Sequence, residues 1–167
     1  GGLANAIAEA TAAFDAGNHA WWRFYLYVVR PYHGGPPLPD PWPGAARDAF
    51  VGLLAAGEGA VATFEELDQA GLLVRLLPEW ESVRSKPQRN SYHRFTVDRH
   101  LIEAAANAAA LTRRVARPDL LLVGALLHDI GKGLPGDHTE VGMKVVAGLA
   151  PRLGFPPEDV AVLVAMV

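Results

Sequence analysis

The sequence predicts an all-α fold, and three observations support this prediction. From Ala45 onward, apolar residues recur at the three- to four-residue spacing of amphipathic helices. Glycine and proline lie between these apolar stretches, where they end one helix or begin the next. No segment reads as a convincing strand, and the one weak strand candidate is residues 24–29. The apolar stretches are therefore expected to pack as a helical bundle.

The composition is typical of one globular domain, or of one domain with an appendage. The chain has 167 residues, is 50% hydrophobic and carries a formal net charge of −3. A chain of this length buries about 70% of its unfolded surface. No apolar run is long enough to predict a membrane span, and the basic residues do not form the stripe that nucleic-acid binding requires. The absence of cysteine excludes thiolate chemistry and agrees with a cytoplasmic location.

Residues 1–46 are expected to form an N-terminal helical and aromatic segment, followed by a proline-rich linker, whose role the sequence does not reveal. Residues 3–17 are rich in alanine and favour a helix. An aromatic cluster follows them, at Trp21, Trp22, Phe24, Tyr25 and Tyr27. We interpret it as a hydrophobic anchor for the main body or a neighbouring domain, with a ligand-stacking platform as the alternative. Residues 31–43 contain six prolines and two glycines, which favours a linker.

Residues 45–56 and 60–70 are predicted to be two short amphipathic helices. Gly57 and Gly71 follow them directly and are expected to end them, because glycine readily adopts the left-handed conformation found after many helices.

The next stretch is predicted to contain a helical turn, an irregular segment and a long helix. Residues 72–78 are the short apolar helical turn, and residues 78–90 are polar and irregular. Thr96 is a good N-cap for the long helix, which is expected to end at about Arg114. Asp98 lies in its first turn, where the helix dipole favours a negative charge.

Three further helices are predicted in the last third of the chain. Pro118 suits the first turn of a helix that ends at the pair His128–Asp129. Residues 131–136 are expected to be a loop, and residues 138–152 the next helix. The last helix opens at Pro156 and continues, still apolar, to the end of the sequence.

The most informative pattern is the apolar run 121–127, which ends in His128 and Asp129. Burying a polar group without a partner costs roughly 2–7 kcal/mol, so both side chains need partners. Imidazole and carboxylate are ligands for divalent cations. Because these two side chains point about 100° apart on a helix, one ion must lie beyond its last turn. Gly131, which ends the helix, permits this arrangement.

A third ligand must come from another helix, and His100 is the best candidate. It lies one turn into the long helix, beside apolar residues 101 and 102. His138 follows the glycine-rich turn and could complete the ligand shell, bind a second ion or act as a general acid. Lys132 lies three residues after Asp129 and is either an ordinary cation at the end of a helix or a functional group.

The order of these residues resembles the HD-domain superfamily of metal-dependent phosphohydrolases. His100 precedes the sequence HDIGK at 128–132, and His138 follows it. Longer segments are similar to the HD region of the bifunctional uridylyltransferase/uridylyl-removing enzymes. These segments are GLLVRLLPEW at 71–80, RNSYHRFTVDRH at 89–100 and LLLVGALLHDIGKGLPGDHTEVG at 120–142. The resemblance covers roughly residues 47–167.

The resemblance implies an all-α HD bundle with a divalent metal, Mg²⁺, Mn²⁺ or Fe²⁺, held between helices. It makes His100, His128 and Asp129 metal ligands and places Lys132 near the substrate phosphate. It also implies the reaction, in which UMP, or AMP in some lineages, is released from a modified tyrosine of the PII nitrogen-signalling protein. Asp129, Lys132 and His138 are then the candidate catalytic residues, and His138 is also a candidate ligand.

The sequence departs from this family pattern in two places. The superfamily ends its ligand set with a distant aspartate, whereas this sequence has no aspartate after Asp159. We therefore expect the HD domain, residues 47–167, to be truncated at its C-terminal end. Residues 1–46 also lack the glycine-serine turn and paired aspartates of the nucleotidyltransferase domain.

Two other functions remain open. The chain could be an HD phosphohydrolase that acts on free nucleotides, or a catalytically silent helical fragment that binds a partner. The apolar last helix leaves open a homo-oligomer formed through exposed helices. Neither a nucleic acid nor a membrane is expected among its partners.

Overall fold

The structure, a computed structural model, describes residues 19–33, 38–87 and 95–167. Every regular element in these ranges is helical, which confirms the all-α prediction. The α-helices are α1 His19–Phe24, α2 Gly44–Leu54, α3 Glu58–Gln69, α4 Leu73–Leu76, α5 Val97–Ala109, α6 Pro118–Leu127, α7 His138–Arg152 and α8 Pro157–Ala165. A π-helical turn, Tyr25–Val29, continues α1, and short 3₁₀ turns occupy Arg30–His33, Pro78–Ser82, Thr112–Arg114 and Ile130–Gly133.

The aromatic segment packs onto the main body through α1 and α2. Phe24 is fully buried, and its ring lies 6.3 Å from that of Phe50 on α2. The weak strand prediction for residues 24–29 is wrong, because this stretch is helical and buries Tyr25, Val28 and Val29 together on one side. The predicted helix at residues 3–17 lies outside the described residues.

The two short amphipathic helices are confirmed as α2 and α3. The glycines that end the predicted segments have backbone φ angles of 63° at Gly57 and 67° at Gly71. This left-handed conformation is costly for a residue with a Cβ atom, which explains why glycine stands at both positions.

The segment after α4 differs from the irregular stretch predicted for residues 78–90. Its first part, Pro78–Ser82, is a 3₁₀ turn, and Trp80 within it is 1% exposed. In the sequence, Trp80 lies between Glu79 and Glu81, a pattern typical of a surface segment. Instead, the indole anchors this turn in the core. Residues 88–94 are not described.

The long helix α5 ends at Ala109 instead of the predicted Arg114. The Thr112 hydroxyl donates to the Ala109 carbonyl at 2.9 Å, and a separate 3₁₀ turn follows. Thr96 has the extended backbone of an N-cap, but its side chain makes no capping hydrogen bond among the described residues. Asp98 is in the first turn as predicted, and its carboxylate accepts from the Ser85 amide at 2.7 Å.

Helix α6 lies at the centre of the bundle, in contact with α2, α5 and α8. Every residue from Leu120 to Leu127 is buried or half-buried, which explains the continuous apolar sequence of this stretch. Helix α7 has the predicted bounds, and the Asp137 carboxylate caps it by accepting from the amides of Thr139 and Glu140. The last helix, α8, ends at Ala165, two residues before the end predicted for it.

None of the helices in the described residues is both long enough and apolar enough to cross a membrane.

Candidate metal centre

Three side chains from two helices and the following turn converge at the C-terminal end of α6. His100 comes from α5, His128 caps α6, and Asp129 begins the turn after it. One ligand atom from each lies within 4.8 Å of the other two. The ring centroids of His100 and His128 are 5.2 Å apart, and the ring planes meet at 67°. Helices α5 and α6 pack against each other directly, which fixes the separation of these residues.

Asp129 is the centre of this group. Its Oδ2 atom lies 3.4 Å from His100 Nε2, 3.3 Å from His128 Nε2 and 2.5 Å from Lys132 Nζ. The side chain of Asp129 is 13% exposed, whereas those of the two histidines are 28% and 32% exposed. The carboxylate is therefore the most buried member of the group, and the two imidazole rings lie on its solvent-exposed side.

The hydrogen bond made by His128 determines which ring nitrogen can bind an ion. His128 Nδ1 lies 2.8 Å from the Ala125 carbonyl oxygen, which can only accept. Nδ1 therefore carries a proton, and in the neutral ring Nε2 keeps its lone pair on the side of Asp129. Metal-binding histidines commonly donate their second nitrogen to a carbonyl in this way.

The charges of the centre depend on each other. Burial would raise the pKa of Asp129, but hydrogen bonds from His128 and Lys132 outweigh this and hold the pKa well below its usual range. The hydrogen bond to Asp129 raises the pKa of His128, more than desolvation lowers it. Asp129 thus stays ionised at neutral pH, and a cation competes with a proton for Nε2 of His128.

Close backbone approaches hold the turn after Asp129 in place. A Cβ atom on Gly131 would lie 2.0 Å from the His138 carbonyl oxygen, and one on Gly133 would lie 2.2 Å from the Ser82 carbonyl oxygen. At both positions the neighbouring backbone leaves no room for a side chain, so glycine is required. From the sequence, Gly131 was predicted only to end the helix. The turn is wedged between α7 and the Pro78–Ser82 turn.

The structure brings together His100, His128, Asp129 and Lys132 from the predicted set. His138 is placed differently. It is the exposed first residue of α7, and it is not part of the three-residue ligand group. Its backbone carbonyl lies against Gly131, so its position relative to the turn is fixed.

Sequence reasoning missed two residues that contact the turn from outside. Ser82 packs against Gly133, and Lys86 Nζ donates to the Gly133 carbonyl at 2.6 Å. Both residues lie in the segment predicted to be irregular and polar. The pair of glycines in the turn was the only available signal that other backbone approaches it closely.

The chemistry of the donor set fits a divalent metal ion. Two neutral imidazole nitrogens and one carboxylate oxygen are ligands that Mn²⁺, Fe²⁺ and Zn²⁺ accept, and Mg²⁺ takes the oxygen ligand readily. The C-terminal end of a helix also favours a cation, because the carbonyl groups there carry partial negative charge.

Comparisons with known proteins show what the region around this centre is similar to. The HD domain matches residues 97–167 of the chain. Bifunctional uridylyltransferase/uridylyl-removing enzymes are similar over a longer stretch. The enzyme of Streptomyces coelicolor is 56% identical over 131 residues, which are 78% of this chain and 16% of that protein. The enzyme of Mycobacterium tuberculosis H37Rv is 53% identical over 132 residues, or 79% of this chain and 16% of that protein.

A more distant relative, from Corynebacterium glutamicum, carries the same name and is 37% identical over 154 residues, or 92% of this chain and 21% of that protein. The chain thus spans 16–21% of the length of these relatives. No solved structure matches the chain significantly.

Proposed function

Residues 97–167 belong to the HD-domain family, and from this premise we propose that the chain is a metal-dependent phosphodiesterase. We propose that it removes UMP, or AMP, from a modified tyrosine of a PII signalling protein, as the HD region of a larger bifunctional enzyme. The observation that carries the proposal is the convergence of His100, His128 and Asp129, with ligand atoms within 4.8 Å. The relatives' name, which includes uridylyl removal, supports the choice of substrate.

In this proposal His100, His128 and Asp129 hold the divalent ion. His128 is oriented by its bond to the Ala125 carbonyl, and Asp129 stays ionised because its pKa is depressed. When bound, a divalent ion supplies Lewis-acid activation of water and of a phosphoryl oxygen at neutral pH. The cluster opens to solvent beside the rings of the two histidines, so a phosphodiester on the surface of another protein can approach it.

Lys132 is proposed to bind the substrate phosphate. Its Nζ atom lies 2.5 Å from Asp129 Oδ2, and its side chain is 28% exposed. From this position beside the candidate ligands, the ammonium group of Lys132 would be available to a non-bridging phosphate oxygen. A positive charge held there stabilises the negative charge that develops during phosphoryl transfer.

His138 is proposed to act as the general acid. Hydrolysis forms a bond between phosphorus and the water oxygen and breaks the bond between phosphorus and the tyrosine oxygen. The departing phenolate needs a proton, which an imidazole can donate. The exposed place of His138 at the start of α7, beside Gly131, suits a group that meets a protein substrate.

The experiment is a release assay with uridylylated and adenylylated PII. The chain with Mn²⁺ or Mg²⁺ is expected to release UMP or AMP and to return PII to its unmodified mass. His128→Ala is expected to abolish release, and chelation with EDTA to do the same. Deoxynucleotides serve as a parallel substrate. Cleavage of these alone, with modified PII untouched, would contradict the proposed substrate and favour the free-nucleotide hydrolase.

A further inference from the structure

A short segment outside the matched HD region, Ser82–Lys86, contacts both elements that carry the candidate ligands. We call this segment the clamp. It follows the buried Trp80, which anchors its N-terminal end in the core. Four contacts of the clamp are relevant, two with the start of α5 and two with the turn Ile130–Gly133.

The first two contacts hold the start of α5, which carries His100. The Lys86 carbonyl accepts from the amide of Val97, the first residue of the helix, at 2.9 Å. The Ser85 amide donates to the Asp98 carboxylate at 2.7 Å. Both bonds lie within three residues of His100, so the first turn of α5 is tied to the clamp.

The other two contacts hold the turn that follows Asp129. Lys86 Nζ donates to the carbonyl of Gly133 at 2.6 Å, which is the length of a strong bond from a charged donor. Gly133 also packs against the Ser82 backbone so closely that a Cβ atom would lie 2.2 Å from the Ser82 carbonyl oxygen. Gly133 directly follows Lys132, the residue proposed to bind phosphate.

The backbone of the clamp adopts an unusual conformation at its centre. Ser85 has a φ angle of 53°, and it is a non-glycine residue in the left-handed region. Residues with a Cβ atom seldom adopt this conformation, and it persists where surrounding contacts enforce it. Here it directs the Ser85 amide to Asp98 and turns the chain so that Lys86 can face both α5 and Gly133.

We propose that Lys86 is a positioning residue of the metal centre. Its backbone carbonyl holds the start of α5, and its side chain holds the turn, so Lys86 links the two elements that carry His100 and Asp129, in addition to the packing of α5 on α6. This inference rests on the proposed function, because it assigns Lys86 a role in that site. It also places part of the positioning machinery outside residues 97–167, in a segment that the HD family match does not include.

The test compares Lys86→Met, which removes the hydrogen-bond donor and keeps a long unbranched side chain, with Lys86→Arg, which keeps a charged donor. Lys144→Met is the matched control, because Lys144 is an exposed lysine on α7. The first readout is amide hydrogen exchange in the metal-free protein at Lys132 and Leu134. These amides donate within the turn, to the carbonyls of Asp129 and Gly131.

We expect Lys86→Met to accelerate exchange at these two amides by about three- to tenfold, because a charge-assisted bond at a partly exposed site is lost. Lys86→Arg should restore most of the protection, and Lys144→Met should leave it unchanged. Amides within α7 provide the internal reference for global stability. Exchange at Lys132 and Leu134 that is the same in Lys86→Met as in the unmodified chain would overturn the proposal.

The second readout is Mn²⁺ affinity, measured by calorimetry on the same variants. Lys86→Met should weaken binding by about three- to tenfold, with partial recovery in Lys86→Arg. If Lys86→Met accelerates amide exchange but leaves the Mn²⁺ affinity unchanged, the positioning role is also overturned. If the unmodified chain binds no Mn²⁺, the proposed function fails, whereas the exchange data still decide whether Lys86 holds the turn.

Discussion

The two ends of helix α6 both carry charged clusters, about 15 Å apart for a helix of ten residues, but the clusters are built differently. At the N-terminal end, Arg117 makes a two-bond pair with Asp159, at 2.7 and 2.6 Å, and also bonds Asp119. At the C-terminal end, His100 and His128 lie 3.3–3.4 Å from one carboxylate oxygen of Asp129.

The difference separates a structural ion pair from a binding site. In the N-terminal pair, a planar guanidinium matches its carboxylate with two short bonds, so the buried Asp159 is satisfied by the protein itself. In the C-terminal cluster, two imidazoles approach the same oxygen at distances too long for strong hydrogen bonds. Their nitrogens and that oxygen surround a point that a small cation can occupy. Asp129 also pairs with Lys132 at 2.5 Å, so the contrast lies in the two imidazole nitrogens that converge on its carboxylate and have no counterpart at Asp159.

The largest expected effect is at the C-terminal cluster. Removing one of the three ligands with His128→Ala should weaken Mn²⁺ binding by at least about 100-fold, while the melting temperature of the metal-free chain changes little. Calorimetry and thermal unfolding measure the two quantities. His138→Ala is the comparison: if His138 is the general acid, Mn²⁺ affinity stays the same and UMP release falls. A large loss of affinity in His138→Ala would instead make it a ligand.

The turn between the ligands and α7 should tolerate no side chain at Gly131. Gly131→Ala places a Cβ atom against the His138 carbonyl, which is backbone and cannot rotate away. We expect a loss of about 1–3 kcal/mol in the free energy of unfolding, together with weaker Mn²⁺ binding. Gly148→Ala is the matched control, since no atom lies within 4 Å of a Cβ there. Its stability should rise slightly, because alanine favours a helix interior more than glycine. Equal stability of both variants would refute the wedged turn.

The N-terminal pair should show the reverse behaviour. Arg117→Met leaves Asp159, which is 6% exposed, without its partner. We expect the melting temperature to fall by about 5 °C, with unchanged Mn²⁺ affinity. A loss of metal binding equal to that of His128→Ala would show that the two ends of α6 are not independent.

The pH dependence of stability sharpens this contrast. The hydrogen bond from Arg117 lowers the pKa of Asp119 in the folded chain below the value of about 3.9 expected when unfolded. The Arg117–Asp119 ion pair therefore contributes its full stability above about pH 4, and this contribution is lost as the pH falls through the pKa of Asp119 in the folded chain. Urea unfolding at pH 7, 4 and 3 should show the gap between the unmodified chain and Arg117→Met narrowing with acidity. A gap that stays constant would contradict this origin.

Sequence reasoning located what depends on local signals. Helix α7 was predicted with its observed bounds, because Asp137 is a cap and a glycine turn precedes it. The ligand cluster was found because an apolar run has no structural use for a histidine and an aspartate at its end. The end of α5 was misplaced, since its alanine-rich second half continues without a break past Ala109.

Contacts between distant residues left no comparable signal. Lys86 and Gly133 are 47 positions apart, and nothing in a polar segment marks one lysine as the partner of a turn carbonyl. Trp80 lies among charged residues but is fully buried, and Asp159 is satisfied by an arginine 42 positions away. These pairings arise from the packing of helices, which periodicity alone does not specify.

The most direct test of the metal centre is a crystal of the chain soaked in Mn²⁺, with diffraction data collected near the manganese absorption edge. We expect one anomalous peak within bonding distance of His100 Nε2, His128 Nε2 and an Asp129 carboxylate oxygen, and we expect it to disappear in His128→Ala. A map with these three residues ordered and no peak between them, or with the only peak elsewhere, would contradict it.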